Sequence, residues 1–154
     1  MSLQHQFASA LAADDATASD VPGTLRVEGT KVYMYVLAED AAIADGDVVE
    51  FSDATGYEVT NDRAGGSSLG RNVAGVGIGA ITDGQYGWIQ IRGLHTNVKT
   101  DGGVSAGEFL IPHATADGQA DSGVAGTNDY QKFATALADD DASTPSRVTA
   151  YINC

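Results

Sequence analysis

At 154 residues the chain fits one domain, and a compact unit of this size buries roughly 70% of its unfolded surface, enough for a core without disulfide or metal staples. Its 16 Asp and 5 Glu outweigh 3 Lys and 5 Arg, for a net charge of -13, so a nucleic-acid backbone or an anionic membrane would be repelled and neither is expected as a partner. The Asp-rich, Lys-poor balance suits a salty medium, where screening lowers self-repulsion.

Residues 1–20 are rich in Ala, Asp, Ser and Gln with little periodicity, the composition of an extended arm that is mobile or orders only against a partner. They contain no basic segment followed by a long apolar run, and no apolar stretch in the chain approaches a membrane-spanning length, so neither a signal peptide nor a membrane span is expected. The folded body, residues 21–154, starts near Val21-Pro22-Gly23. From there short apolar runs alternate with turn signals at Glu28-Gly29, Asp45-Gly46, Asp83-Gly84, Asp101-Gly102-Gly103 and Asp117-Gly118, too closely spaced for long helices. The expected class is all-β.

In chain order the expected strands are Thr24 to Glu28, Lys31 to Leu37, Asp47 to Phe51, Tyr57 to Thr60, Val73 to Ile81, Gly87 to Arg92, Glu108 to Pro112, Lys132 to Ala138 and Arg147 to Ile152. A short helix over Gln131 to Ala138 would end on Asp139-Asp140-Asp141, where carboxylates oppose the helix dipole, so this segment reads as a strand. Asp45-Gly46-Asp47-Val48-Val49-Glu50-Phe51 and Ala106-Gly107-Glu108-Phe109-Leu110-Ile111-Pro112 echo each other as a turn, an acid and an apolar strand, which reads as a recurring turn habit rather than a true repeat. Between strands, Asn61 to Gly70 is rich in Gly, Ser and Asn and, with Arg63 and Arg71, reads as a long exposed loop of the kind that carries recognition.

Three strands divide their residues by face. Ile89 and Ile91 point one way and Trp88, Gln90 and Arg92 the other; Val32, Met34 and Val36 alternate with Lys31, Tyr33, Tyr35 and Leu37; Val148, Ala150 and Ile152 alternate with Arg147, Thr149 and Tyr151. One face reads as core. The other, with Trp, Tyr and Arg, has the composition of an interface centre, although a second sheet or the chain's own arm would also account for it. The candidate interface residues are Tyr33, Tyr35, Arg63, Arg71, Trp88, Gln90, Arg92 and Tyr151. Glycines alternate at Gly75, Gly77 and Gly79, giving a flat face on which Trp88 could pack within one hairpin, and this leaves Gln90 and Arg92 as the safer candidates for contact across chains.

The motifs that suggest chemistry lack their context. Gly66-Ser67-Ser68-Leu69-Gly70 matches the nucleophile elbow of hydrolases, but a polar segment precedes it and a glycine-alternating strand follows, so Ser68 reads as a loop residue. Gly75-Val76-Gly77-Ile78-Gly79-Ala80 matches a dinucleotide fingerprint without a helix to open. His5, His95 and His113 are far apart, and no His, Cys or acid spacing fits zinc or iron. Asp139-Asp140-Asp141 with Asp121 or Asp129 could offer calcium ligands, yet no calcium loop is present and a solvated acidic turn is the better reading. Cys154 is the only cysteine, so no intrachain disulfide forms. No catalytic residue, metal or cofactor is expected, and the chain does not read as an enzyme.

The order Val73-Ala74-Gly75-Val76, then Ile81-Thr82-Asp83-Gly84-Gln85-Tyr86-Gly87-Trp88-Ile89-Gln90-Ile91-Arg92-Gly93, then Ser105-Ala106-Gly107-Glu108-Phe109-Leu110 and the final pair Ala136 to Ala138 and Arg147-Val148 resembles capsid decoration, or cement, proteins of tailed viruses with HK97-type shells. The likeness spans about residues 21–153. The acidic balance is similar to that of haloarchaeal tailed-virus proteins, with marine phages as the alternative source. The resemblance implies a small β-barrel, β-tulip or sandwich domain on the outer surface of a capsid, a homotrimer bound to the major capsid protein that stiffens the shell against its genome. A receptor- or glycan-binding module of the head or tail is the alternative.

Overall fold

In the computed structural model, residues 7–52, 56–63, 72–127, 131–141, 143 and 145–154 are described. Their strands are β1 (Asp14–Asp15), β2 (Leu25–Glu28), β3 (Lys31–Ala38), β4 (Val48–Phe51), β5 (Glu58–Thr60), β6 (Val73–Gly77), β7 (Tyr86–Thr100), β8 (Phe109–Pro112), β9 (Ala120–Ser122), β10 (Ala134–Ala136) and β11 (Ser146–Asn153). The fold is all-β, built around a closed five-strand barrel with additional strands.

That barrel, ring 1, runs β3-β7-β6-β4-β5. Four of its pairings are antiparallel, and β5 returns to β3 in parallel through Leu37↔Glu58 and Ala38↔Val59. An odd number of strands cannot close by antiparallel pairs alone, so one parallel contact is required. The additional strands trace the same circuit again. In ring 2, β7-β11-β10-β8-β9, four pairings are antiparallel and β9 returns to β7 through the parallel pair Thr100↔Ala120. Strands β3 to β6 and the first half of β7 therefore correspond in order and partner to the second half of β7 and β8 to β11. One strand, β7, closes ring 1 and opens ring 2.

The correspondence reaches individual turn bonds. The Gly46 N–H donates to Gly77 O at 2.9 Å and the Gly107 N–H to Ala136 O at 2.9 Å; Asp47 N–H donates to Ala44 O at 3.1 Å and Glu108 N–H to Ser105 O at 3.2 Å. Each turn also ends on an acid that accepts the amide three residues back, Ala44 N–H to Asp47 at 2.7 Å and Ser105 N–H to Glu108 at 2.8 Å. Gly46 and Gly107 both have positive φ, 83° and 90°, a region open to glycine at little cost. The echo read as a turn habit is thus a duplication of structure, and that expectation is corrected.

Each ring has its own apolar interior, and the aliphatic faces supply it. Met34, Val36, Ala38, Ile43, Val49, Val59, Ala74, Ile81 and Ile89 fill ring 1. Val98, Val104, Leu110, Ala120, Phe133, Ala134, Ala136, Val148, Ala150 and Ile152 fill ring 2, where Val48 and Val76 of β4 and β6 join them. Adjacent Val48 and Val49 are both buried because one faces each ring, which is why β4 shows a run rather than an alternation.

The 15-residue β7 is longer than the expected strand ending at Arg92. Gly93, at φ 100°, bends it where it passes between rings, and a Cβ there would lie 2.8 Å from Thr30 O. The glycine face of β6 accommodates backbone rather than Trp88. A Cβ on Gly75 would meet Gln90 O at 2.7 Å, and one on Gly77 would meet Ala44 O at 2.4 Å.

Candidate interaction face

The aromatic side of β3 and β7 forms a third cluster of Tyr33, Tyr35 and Trp88, with Phe7, Leu11, Ile78 and Tyr86 packed on it. Residues 7–20, expected as an arm, lie along this face. Asp14 and Asp15 pair with Gly87 and Tyr86 at the edge of β7 that β6 leaves open. Phe7 meets Trp88 edge-on at 5.4 Å, Tyr35 tilts against Trp88 at 5.1 Å, and Tyr35 stacks on Tyr86 at 6.1 Å. Arg26 of β2 completes the cover, its guanidinium 5.0 Å from the Phe7 ring and 5.8 Å from Trp88, ion-paired to Glu28 and donating to Ser9 O at 3.1 Å.

Polar bonds pin the arm. The Tyr35 hydroxyl donates to Asp15 Oδ2 at 2.7 Å, and Ser19 donates to the same carboxylate at 2.6 Å. Thr82 donates to Asp14 from its hydroxyl at 2.7 Å and its N–H at 3.2 Å. The Ser19 hydroxyl, then the Tyr35 hydroxyl, hold Asp15 below the ordinary carboxylate range; burial pushes the Tyr33 and Tyr35 hydroxyls above the ordinary tyrosine range. Trp88 Nε1 is buried and finds no hydrogen-bond partner among the described residues.

Of the two readings of this face, an open surface or cover by the chain's own arm, the structure of one copy shows the cover. Trp88 and Gln90 are each 1% exposed, Tyr33 6% and Tyr35 0%, because the arm and β2 cover a face whose counterpart already lines ring 1. Gln90, read as a safer contact residue, donates instead to Arg92 O and Leu94 O, both at 3.2 Å, bridging the Gly93 bend. Arg63 is not displayed either: it forms an ion pair with Glu50 with both side chains over nine-tenths buried, and its N–H donates to Asp117 Oδ1 at 2.9 Å. Arg92 and Tyr151 are exposed, Tyr151 opposite Leu94 on β7. Arg71 and Ser68 lie outside the described residues. Phe7, Leu11, Asp15 and Arg26 were not among the candidates; Phe7 and Leu11, four apart in an Ala-rich segment, were the available signal.

The acidic segments serve the backbone. Asp139 accepts from Ala106 N–H, Asp140 from Val104 N–H and the Thr100 hydroxyl, and Asp141 from Ser143 and Arg147 N–H. Asp129 lies outside the described residues, and Asp121 instead gathers with Asp101 and His113. There, His113 Nδ1 accepts the Thr115 and Ala116 amides at 3.1 and 2.7 Å, so Nε2 carries the proton and points at Asp101, 3.3 Å away. The trio sits beside Thr100 and Ala120, the strand pair that closes ring 2.

No protein-family model matches the chain, and no curated protein matches it. Among solved structures it is similar to the N base of the head fiber gp8.5 of bacteriophage phi29, at 14% sequence identity and a TM-score of 0.55, over 80% of this chain and 94% of that one. The likeness is one of fold.

Proposed function

We propose that this chain is a structural protein of a tailed-virus head, which binds the outer surface of an icosahedral capsid of HK97 type and cements it against the pressure of the packaged genome. The major capsid protein and further copies of the chain, as a homotrimer, are its partners. The observation that carries this reading is the shared fold with the head-fiber base over 80% of the chain. The Gly84 to Gly93 resemblance supports it from the residues, and the net charge of -13 argues against the nucleic acid inside the shell as the partner. A protein that binds the assembled shell and not its dispersed subunits stabilises it by mass action. No catalytic role is assigned to any residue. A glycan-binding module would need rings open to a sugar; Trp88, Tyr33 and Tyr35 are buried, which leaves Tyr57 and Tyr151 as its exposed rings.

Quantitative mass spectrometry of purified virions tests the reading. Copies comparable in number to the major capsid protein are expected, with heads stripped of the chain opening at lower temperature. Far fewer copies would favour an adhesin, and absence from virions would overturn both.

A further inference from the structure

Ring 1 grips ring 2 through one end. Asn97 donates to the Asp45 carboxylate; Arg147 Nη1 donates to Asp45 O at 3.1 Å, Lys99 N–H to Gly46 O at 2.9 Å, and His95 Nε2 lies 3.1 Å from Gly77 O. The end of ring 1 formed by Asp45, Gly46 and Gly77 thus covers the outer face of β7 and β11. Because the pairs Leu37↔Tyr86 and Lys99↔Arg147 hold corresponding places, the ring 1 counterparts of Asn97 and Arg147 are Tyr35 and Tyr86; beyond the register shift between Val148 and Ala150, His95 pairs with Ala150 as Met34 pairs with Ile89, and Tyr33 lies beside Tyr35 on the same aromatic face. On ring 1 no other ring covers that face. The arm does, and an arm aspartate bonds Tyr35 as Asp45 bonds Asn97.

At the far end of ring 2 the counterparts of Asp45, Gly46 and Gly77 are Ala106, Gly107 and Ala136. This end is bare. Ser105, Ala106 and Gly107 are exposed, and Leu137 beside them is 53% exposed. A Cβ on Gly107 would meet nothing within 4 Å, whereas one on Gly46 would lie 1.9 Å from Asn97 O. The two ends differ in chemistry: Asp45 and Asp47 of one meet Arg147 and Lys99, whereas the other exposes Ser105, Ala106, Gly107 and Leu137, with its acids Glu108 and Asp139 bonded back to the Ser105 and Ala106 amides.

We propose that the bare end of ring 2 docks on the Tyr33, Tyr35 and Tyr86 face of a second copy, and that residues 7–19 are an exchangeable cap holding this face closed until it does. The proposal deepens the self-association in the reading above and rests on it. The cap is suited to exchange, since its strand pairing with the body is only Asp14↔Gly87 and Asp15↔Tyr86, and Tyr35, Thr82 and Arg26 reach it through their side chains. A contact between unlike surfaces closes into a ring of copies or grows into a chain, as its geometry allows.

Light scattering and native mass spectrometry on the full chain over a range of concentrations test this. Phe7→Ala with Leu11→Ala, which loosens the cap, is expected to lower the concentration needed for association at least tenfold. Leu137→Asp, at an exposed site, is expected to raise it at least tenfold in either background. Association indifferent to Leu137→Asp overturns the proposal. So does a cap-loosened variant that keeps the near-ultraviolet signal of Trp88 and associates no better than the parent. If that variant unfolds, a photo-crosslinking residue in place of Leu137 in the otherwise unchanged chain decides. Links to peptides of another copy containing Tyr33 to Tyr35 or Tyr86 to Trp88 support docking, and links elsewhere or none at millimolar concentration overturn it. None of these measurements uses a capsid, so absence from virions would sink the head assignment while leaving the docking result to stand.

Discussion

Ring 1 and ring 2 keep aliphatic residues at corresponding interior places: Val36 with Val98, Ile43 with Val104, Val49 with Leu110 and Val59 with Ala120, all at most 2% exposed. Their outer faces have diverged, with Tyr35 opposite Asn97, Tyr86 opposite Arg147 and Trp88 opposite Thr149 in the two circuits. Each outer face matches what covers it. An arm with Phe7 and Leu11 lies on rings, and a turn with Asp45 and Asp47 lies on Arg147 and Lys99. Interior volume and turn geometry are therefore sufficient to repeat the circuit, while outer residues are free to follow their cover.

The sharpest way to break this comparison is to remove the outer side chain at one corresponding place in each ring. Trp88→Ala is expected to cost about 3–5 kcal/mol, as for other buried tryptophans, because it takes away the surface on which Phe7, Tyr35 and Arg26 pack. Thr149→Ala, at the corresponding place in ring 2, is expected to cost about 1 kcal/mol or less. Urea unfolding of both variants measures the difference. Unchanged stability of Trp88→Ala, with only association weakened, would return Trp88 to the role of a contact residue.

A smaller difference is expected at the two turns. Gly46→Ala and Gly107→Ala both force a side chain to positive φ, at about 1–2 kcal/mol each. Only at Gly46 does the new Cβ collide with another element, the Asn97 carbonyl, so Gly46→Ala is expected to be the more destabilising by about 1–3 kcal/mol. Equal losses would mean that the rings do not press together at this turn.

Much of this architecture was legible in the chain. Nine strands showed in the spacing of turn signals, and the two faces of β3, β7 and β11 showed in their alternation, because period two follows from backbone geometry alone. Alternation separates faces without saying what covers either, and so the aromatic side of Trp88 looked like a surface. The missed strands were those that packing does not mark: β1 is two aspartates and β9 is Ala120-Asp121-Ser122, each paired by backbone without an apolar stripe. Gly93 read as a strand end, yet its positive φ lets one strand bend and continue. The duplication was visible as an echo, but the rings share the acid, the glycine and aliphatic volume rather than identities, which the eye discounts.

The smallest effect expected separates the two rings by pH. The Asp15 carboxylate is held below the ordinary aspartate value of 3.8 by the Ser19 and Tyr35 hydroxyls, so its contribution to holding the arm is present above pH 3.8 and is lost as pH falls through its lowered folded value. Asp101 in ring 2 shifts the other way: burial, then the Asp121 charge, raise it from 3.8 against the pull of His113. Its ionisation in the folded state is unfavourable, so stability is lost as pH rises from 3.8 through the raised folded value and is regained on acidification. Asp101→Asn is therefore expected to be more stable than the parent at pH 7, with the gap closing below pH 3.8. Asp15→Asn is expected to be less stable at pH 7, its deficit shrinking only at lower pH, below the folded value of Asp15. Unfolding midpoints of the two variants across pH 2.5 to 7 should thus diverge from the parent in opposite directions, and a common direction would mean that the net charge, rather than the surroundings of Asp15 and Asp101, governs the acid limb.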